Sequence, residues 1–525
     1  MNGSHKREDD ITGRWLSLQG ERTSKENARD VDVPVIIVGA GPVGLSLALG
    51  LAHHDVPSVV LERREQPSTE SRALIVWPRT AEVLRDWGAW DALRAAGSFR
   101  RSVSPVNARD GASLLTLDFS SVDDVLDDAG ALVIPQYETE RVLRERVAMQ
   151  PLCDLRTNCD VTGVAQDAQG VDITYTDAIG STVQLRSGFA VGADGAHGFV
   201  RGSLGLNLAG TTYRARVILS DEVFDIPPSL SSPRIVIDRP GLLVGIEYAP
   251  GHWRIIASIP AEIKDEVAQS DEAHAQRLRL VFGQTDGAHT IWRNLFRIHR
   301  RHVAHFAVSR IALAGDAAHL NSPAGGQGMN AGIQDAANLA WKLAYAIKGR
   351  GDAARLVESY DLERREMISD TVERYTDRLT RMGIGLPAFA KKMGLRFFSR
   401  SIRGRGMQRK MCRSMGMLSG RYTTSPLIAC THPLAGRRIP DLILANGQRI
   451  NAMRKGKAAL LLVGKACSQS WIDDFAAICI TNPPKRWLIK KGAAIIVRPD
   501  GCVAAVIEKP TPELIRAGWA RAFAG

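Results

Sequence analysis

Pro34–Ala52 reads PVIIVGAGPVGLSLALGLA, nineteen residues without a charge, a length that by itself suggests a membrane span. Its glycines point elsewhere. A β-branched run, Val35, Ile36, Ile37 and Val38, leads into Gly39, Gly41 and Gly44, and an apolar helical segment follows. That is the strand, tight turn and helix of a dinucleotide-binding unit: the first glycine makes the turn, the second lets the backbone meet a pyrophosphate, and the third lets helix pack close to strand. A second strand, Ser58 to Leu61, ends in Glu62, about twenty residues on, where a carboxylate can take ribose hydroxyls.

Two further stretches have the same grammar. Phe189–Arg201, FAVGADGAHGFVR, is a buried strand that ends in Asp194-Gly195. Arg310–Ala344, RIALAGDAAHLNSPAGGQGMNAGIQDAANLAWKLA, stops at Asp316 and places Gly325, Gly326 and Gly328 within four positions. It then resumes with Ile333, Ala336, Ala340, Leu343 and Ile347 on one face of a helix. The glycines therefore sit at a helix N-terminus, where bare N–H groups and the positive end of the helix dipole favour a ligand that carries or acquires negative charge. An Asp at a strand's carboxyl end points into the crevice where α/β sheets bind ligands.

The chain of 525 residues is too long for one ordinary core, which implies two or three domains. Seven cysteines, at 153, 159, 412, 430, 467, 479 and 502, are scattered and form no CxxC pair. They argue for reduced thiols in a cytoplasmic setting, against a disulfide framework and against a zinc site; no other metal-ligand spacing occurs. The polar leader through Asp32 is too long and acidic for a signal peptide and reads as a flexible extension. The net charge of +12 is uneven: from Arg378 to Arg438 the chain carries fourteen cations and no acid. A solvated face is the plain reading, and steering of an acidic substrate or partner the sharper one. Its few aromatics, Phe389, Phe397, Phe398 and Tyr422, argue against a nucleic-acid partner.

The combination of GAGPVG, GADG and GDAAH followed by PAGGQGMN resembles the group A flavoprotein monooxygenases, the single-component FAD-dependent aromatic hydroxylases. The likeness runs from about Pro34 through most of the chain and includes Ser71–Gly88, IPQYETERVL at Ile134–Leu143 and SYDLERR at Ser359–Arg365. It implies an α/β fold: a Rossmann-like FAD-binding domain (34–105, 131–205, 305–385) interleaved with a β-sheet substrate domain (106–130, 206–304). A basic helical linker (386–430) and a thioredoxin-like C-terminal domain (431–525) would follow, after a flexible 1–33.

Position by position, the resemblance implies that Gly39, Gly41 and Gly44, with Pro42 and Val43, hold the FAD pyrophosphate. Glu62, with Arg63 beside it, would hold the adenosine ribose, and Arg72 and Gln136 would reach the phosphate and ribityl region. Asp194 would be shared between FAD and NAD(P)H, and Asp316 would bind the ribityl chain. Pro323 and the backbone of Gly326, Gly328, Met329 and Asn330 would line the isoalloxazine. The implied reaction is NAD(P)H- and O2-dependent hydroxylation of an aromatic, phenolic small molecule through a flavin C4a-hydroperoxide; the alternative is epoxidation or Baeyer–Villiger oxygenation of a polycyclic substrate. With one GxGxxG turn, NADH or NADPH would dock transiently. A homodimer is compatible with this reading. No catalytic residue is assigned: His319 reads as local packing, and a base for a phenol should lie on the substrate sheet, which holds Tyr213, Tyr248, His252 and Trp253. Cys467-Ser-Gln-Ser470 sits where a redox motif would in a thioredoxin-like unit, though structure and subunit contact are the expected uses of that region.

Overall fold

The structure is a computed structural model that describes residues 31–67, 72–225, 230–237, 241–283, 286–385, 404–429, 432–464, 477–480, 483 and 487–524. The leader, the Cys467–Ser470 motif and the middle of the basic stretch, including Lys391, Lys392, Arg396, Arg400 and Arg403, lie outside the described residues. No described helix is long and apolar enough to cross a membrane. The segment Pro34–Ala52 instead divides into strand Val33–Val38 and helix Pro42–His53.

An eight-stranded sheet forms the centre. Its path runs Asp160–Gln166, Val171–Thr176, Thr182–Gly192, Val33–Val38, Ser58–Leu61 and Cys153–Arg156, with Ile311–Leu313 parallel to the far end of Thr182–Gly192. The parallel strands Val33–Val38, Ser58–Leu61 and Ile311–Leu313 are buried on both faces, which is why they read as largely apolar runs. Helix Pro42–His53 packs between this sheet and helix Gly328–Ile347. The approach is close: a Cβ on Gly332 would stand 2.5 Å from Val43 Cγ2, and one on Gly50 would stand 2.9 Å from Ala340 Cβ.

A seven-stranded sheet is built chiefly from Ala209–Phe224, Leu243–Ala249, His252–Ile259 and Ala288–His302. Helices Asp265–Gln269 and Asp271–Phe282 cover one face over Trp253, Ile255 and Ala257. The other face carries Val217, Leu219 and Ile298, with Tyr213, Ile256, Trp292 and Phe296 around them. One short strand comes from outside the segments expected to build this sheet: His319–Leu320 pairs with Arg301 and His302, so the Gly-rich loop springs from the edge of the seven-stranded sheet.

The C-terminal part is a four-stranded sheet in the order Ile478–Ile480, Ala459–Val463, Ala494–Val497, Val503–Ile507, one parallel pair followed by two antiparallel ones, with helix Pro512–Ala522 packed against it. Cys153, Cys159, Cys412 and Cys502 are free thiols. Cys479 departs from the all-reduced expectation, being disulfide-bonded.

This sheet meets helix Pro78–Asp86 through a polar joint. Buried Glu82 is held by Arg79, Arg438 and Asn451. Burial alone would raise its pKa, but Arg438 and Arg79 outweigh burial and hold the carboxyl at about 2. One turn on, Asp86 lines the same small cavity with His54, Arg454 and Asp500. Burial, reinforced by the Glu82 charge, pushes Asp86 up to about 7. A carboxyl raised in the folded state binds more protons folded than unfolded between about pH 4 and 7, so its contribution to stability is complete below that window and falls as pH rises through it. Asp86→Asn removes that loss. We expect it to raise the melting temperature more at pH 8 than at pH 5, measured by calorimetry at both pH values.

Candidate active site

Four parallel strands end in one row. The register pairs Val38 with Leu61 and with Gly192, and Gly192 with Leu313. Gly39, Glu62, Asp194 and Asp316 therefore emerge side by side at the carboxyl edge of the sheet. Gly39 has φ +105°, and a Cβ there would meet Ala193 O at 2.5 Å; one on Gly44 would meet Gly39 O at 1.9 Å. Gly41 is different. A Cβ there would meet nothing within 4 Å, and the same holds for Gly328 at the start of the long helix. Both helices begin without a side-chain cap and without an acid in the first turn. Two sets of donors are thus left facing open space, a fit for the phosphates and the electron-rich end of a dinucleotide.

Glu62 reaches back across the row: Oε2 accepts from Ala40 N–H at 2.7 Å, and Oε1 accepts from Arg64 N–H at 3.0 Å. Arg63 beside it is exposed. Asp194 turns into its own loop. Its Oδ2 accepts from Val200 N–H at 2.9 Å, and Oδ1 lies against Gly198, so the visible work of this residue is to shape the turn. Asp316 is open to the crevice yet ringed by protein, and burial raises its pKa despite His319 and Arg72 nearby.

The Gly-rich loop is clamped from below. Asn330 is fully buried; its Oδ1 accepts from Trp77 N–H at 2.8 Å, and its Nδ2 donates to Ile75 O and Gly326 O, both at 2.8 Å. Trp77 Nε1 donates to Gly325 O at 2.9 Å. Gly326 N–H donates to Pro323 O at 3.0 Å, closing the turn, with Pro323 exposed and Met329 half-buried at its rim. His319 is buried with Nε2 2.7 Å from Asp335 Oδ2, while Arg364 Nε donates to Asp335 Oδ1 at 2.7 Å and Gly315 N–H to Oδ2 at 3.0 Å. It packs on Phe306 and braces the loop, with no exposed face for proton transfer.

The second wall is the seven-stranded sheet. Arg254 and Asp221 form a fully buried bidentate pair, both contacts 2.7 Å, and Trp292 Nε1 donates to Asp221 Oδ2 at 3.0 Å. Arg254 Nη1 also donates to the carbonyls of Arg72 (3.3 Å) and Ala73 (3.2 Å), tying the sheet to the cofactor side. The Arg72 guanidinium lies 4.5 Å from the Phe296 ring centroid, and Gln136 Oε1 accepts from Ala73 N–H at 3.2 Å. Of the aromatic candidates, Trp253 points into the helix-covered face and His252 sits at a turn, bonded to Pro250 O. Tyr248 packs with Leu74 and Ile75. Tyr213 joins the Trp292 and Phe296 face and donates to Asp377.

Asp377 belongs to helix Arg374–Gly385, which follows one π-helical turn, Ile368–Glu373, and crosses the gap between the two walls. On one side it touches the sheet through Tyr213 and, from the π turn, His302, whose Nδ1 lies 2.9 Å from Glu373 Oε1. On the other, Thr380 bonds Ser322 at 2.6 Å, and Tyr375 and Leu379 lie directly over Gly325. Sequence reading missed Asp221, Arg254, Trp292, Phe296 and this helix. Only the apolar spacing of Trp292, Phe296 and Ile298 on one strand carried a signal for them.

A family model described as FAD binding domain matches residues 32–375. The chain belongs to that family. It is 31% identical over 515 residues, 93% of this chain and 97% of the relative, to an uncharacterised aromatic compound monooxygenase of Bacillus subtilis. It is 29% identical to a rifampicin monooxygenase of Streptomyces venezuelae over 89% of this chain and 94% of the relative. Among solved structures, the anhydrotetracycline hydroxylase of Streptomyces rimosus superposes with a TM-score of 0.76 at 28% identity, covering 94% of this chain and 99% of that one. The protein is an FAD-dependent monooxygenase. For this monooxygenase, the two glycines that face open space and the two that face backbone should behave oppositely. Gly41→Ala is expected to leave the melting temperature of the apoprotein within about 1 °C while weakening FAD binding at least tenfold in a fluorescence titration. Gly44→Ala, with 1.9 Å to Gly39 O, is expected to prevent soluble expression.

Proposed function

We propose that this monooxygenase consumes dioxygen to hydroxylate a polycyclic phenol of the aromatic-polyketide kind. The observation that carries the reading is the sheet face formed by Tyr213, Trp292 and Phe296 across from the Gly-rich loop, bridged by helix Arg374–Gly385. Trp292 and Phe296 are four residues apart on one strand, about 13 Å at about 3.3 Å per residue, far longer than a single six-membered ring. Relatives named for rifampicin and anhydrotetracycline agree with a large substrate. In this proposal Gly39, Gly41, Pro42, Val43 and Gly44 hold the FAD pyrophosphate and Glu62 the adenosine ribose. Asp316 takes the ribityl hydroxyls, and Arg72, positioned by Arg254, Phe296 and the Gln136 anchor on Ala73, faces the cofactor. Pro323 and the Gly326 to Asn330 backbone carry the ring, with the helix dipole and N–H groups favouring negative charge there.

Reduced by NAD(P)H, FAD supplies the oxygen-activating chemistry. The chain's part is to hold the aromatic ring against the sheet face, to keep water out beneath helix Arg374–Gly385, and to stabilise developing charge at the Gly328 helix start. The division into interleaved cofactor and substrate domains is part of the proposal, supported by the separate sheets. So is a thioredoxin-like C-terminal unit, supported by one parallel pair followed by antiparallel strands and a closing helix. A cytoplasmic location is supported by four free thiols, against which stands the disulfide at Cys479.

The test is oxygen uptake matched to product. With anhydrotetracycline as probe, NAD(P)H oxidation should be stimulated and one oxygen atom gained by mass spectrometry for each dioxygen consumed, and phenol should stimulate far less. Trp292→Ala should lower kcat/KM for the polycyclic probe by at least tenfold, about 1.4 kcal/mol, while FAD content holds. A preference for phenol sinks the polycyclic reading.

A further inference from the structure

Part of the basic stretch is not a solvated face. Helix Arg405–Met415 lies on the turn Phe119–Val122 through Gln408 and Cys412: Gln408 Nε2 donates to Thr116 O at 2.7 Å, and Cys412 Sγ is 3.4 Å from Asp118 O. Its adjoining face presents Gly406, Arg409, Lys410 and Arg413 to an open cavity of about 340 Å3 that Ser419 and Arg437 also line. None of these described lining residues is acidic. Arg409 is met by Asp124, and Arg437 is fixed by Pro433 O at 3.2 Å and Ser419 O at 3.4 Å. Burial, and after it the neighbouring Arg421 charge, lowers the Arg437 pKa, so a cation is held where its charged form is disfavoured. Among the described residues neither Lys410 nor Arg437 is set against a carboxylate, so the cavity keeps positive charge that a bound anion would offset. The volume is that of a small-molecule site, much more than a lone ion fills.

The cavity is linked to the flavin loop by short steps. Arg79 N–H donates to Gly416 O at 3.1 Å, Gln334 Nε2 donates to Met417 Sδ at 3.2 Å, and Trp77 Nε1 donates to Gly325 O. A single GxGxxG turn serves FAD, so the phosphates of a nicotinamide nucleotide need other partners.

We propose that the cavity lined by Arg409, Lys410, Arg413 and Arg437 binds the 2′-phosphate-bearing adenosine end of NADPH. This rests on the NAD(P)H-dependent reading above, and its test needs no turnover. Adenosine 2′,5′-bisphosphate is titrated into the FAD-loaded protein by calorimetry, with 5′-AMP and inorganic pyrophosphate for comparison. The bisphosphate should bind at least tenfold more tightly than 5′-AMP. Its affinity should fall at least tenfold in Arg413→Gln and in Lys410→Glu, and should weaken with added salt. In both variants KM for NADPH should rise more than kcat falls. Should Arg413→Gln lower the melting temperature, Lys410→Glu decides, since Lys410 is exposed. The proposal is overturned by absence of bisphosphate binding, by equal affinity for 5′-AMP, by unchanged affinity in Lys410→Glu, or by pyrophosphate binding as tightly without competing with NADPH. None of those outcomes alters the oxygen-to-product stoichiometry, which stands or falls separately.

Discussion

Asp335 is the residue on which the site's shape depends. Fully buried on helix Gly328–Ile347, it accepts from Gly315 N–H, Arg364 and His319, so one carboxylate joins the strand end that presents Asp316, the helix that starts at the Gly-rich loop and the SYDLERR helix Ala353–Met367. Burial would raise its pKa, but Arg364 and His319 outweigh burial and hold it below the usual carboxylate range. A lone buried carboxylate would cost several kcal/mol; paired and triply bonded, it fixes geometry instead. The helix cannot shift along its axis without breaking all three contacts.

The same logic extends one turn at a time toward the C-terminus. Glu363 accepts from Lys342 at 2.9 Å and from Arg498 at 2.6 and 2.8 Å, and Arg498 also holds Asp500. Lys342, Arg364 and Arg498 thus balance Asp335, Glu363 and Asp500, all buried. Removing one member would strand its partner at a cost of about 3 to 5 kcal/mol. The C-terminal sheet is therefore bolted to the cofactor side through ionic contacts as well as through Trp341 and Phe523.

Much of the backbone around the candidate site was legible because a tight strand-to-helix turn restricts residue type at fixed positions. Gly39 and Gly44 leave no room for a Cβ, and a strand followed by Asp is visible without any tertiary knowledge. SYDLERR was legible as a pattern, but its meaning was not: Tyr360 donates to Leu313 O, Asp361 accepts from Phe306 N–H, and Glu363 and Arg364 join the two buried networks. Asn330, expected to lend backbone to the cofactor, spends its side chain clamping the loop. The Arg254–Asp221 pair was hidden because it joins strands 33 positions apart, and buried charges on strands leave no periodic mark. Helix Arg374–Gly385 was hidden because nothing in its sequence says what it covers.

The row of strand ends also sets an order of assembly. Val33–Val38, near the start of the chain, finds Ser58–Leu61 quickly but waits for Thr182–Gly192, and the last parallel member, Ile311–Leu313, arrives some 270 residues after the first. A chain in synthesis therefore makes the turn after Val33–Val38 long before the Gly-rich loop that follows Ile311–Leu313. The two walls of the candidate site are thus made at separate stages of synthesis, and the row of strand ends is complete only once Ile311–Leu313 has joined it.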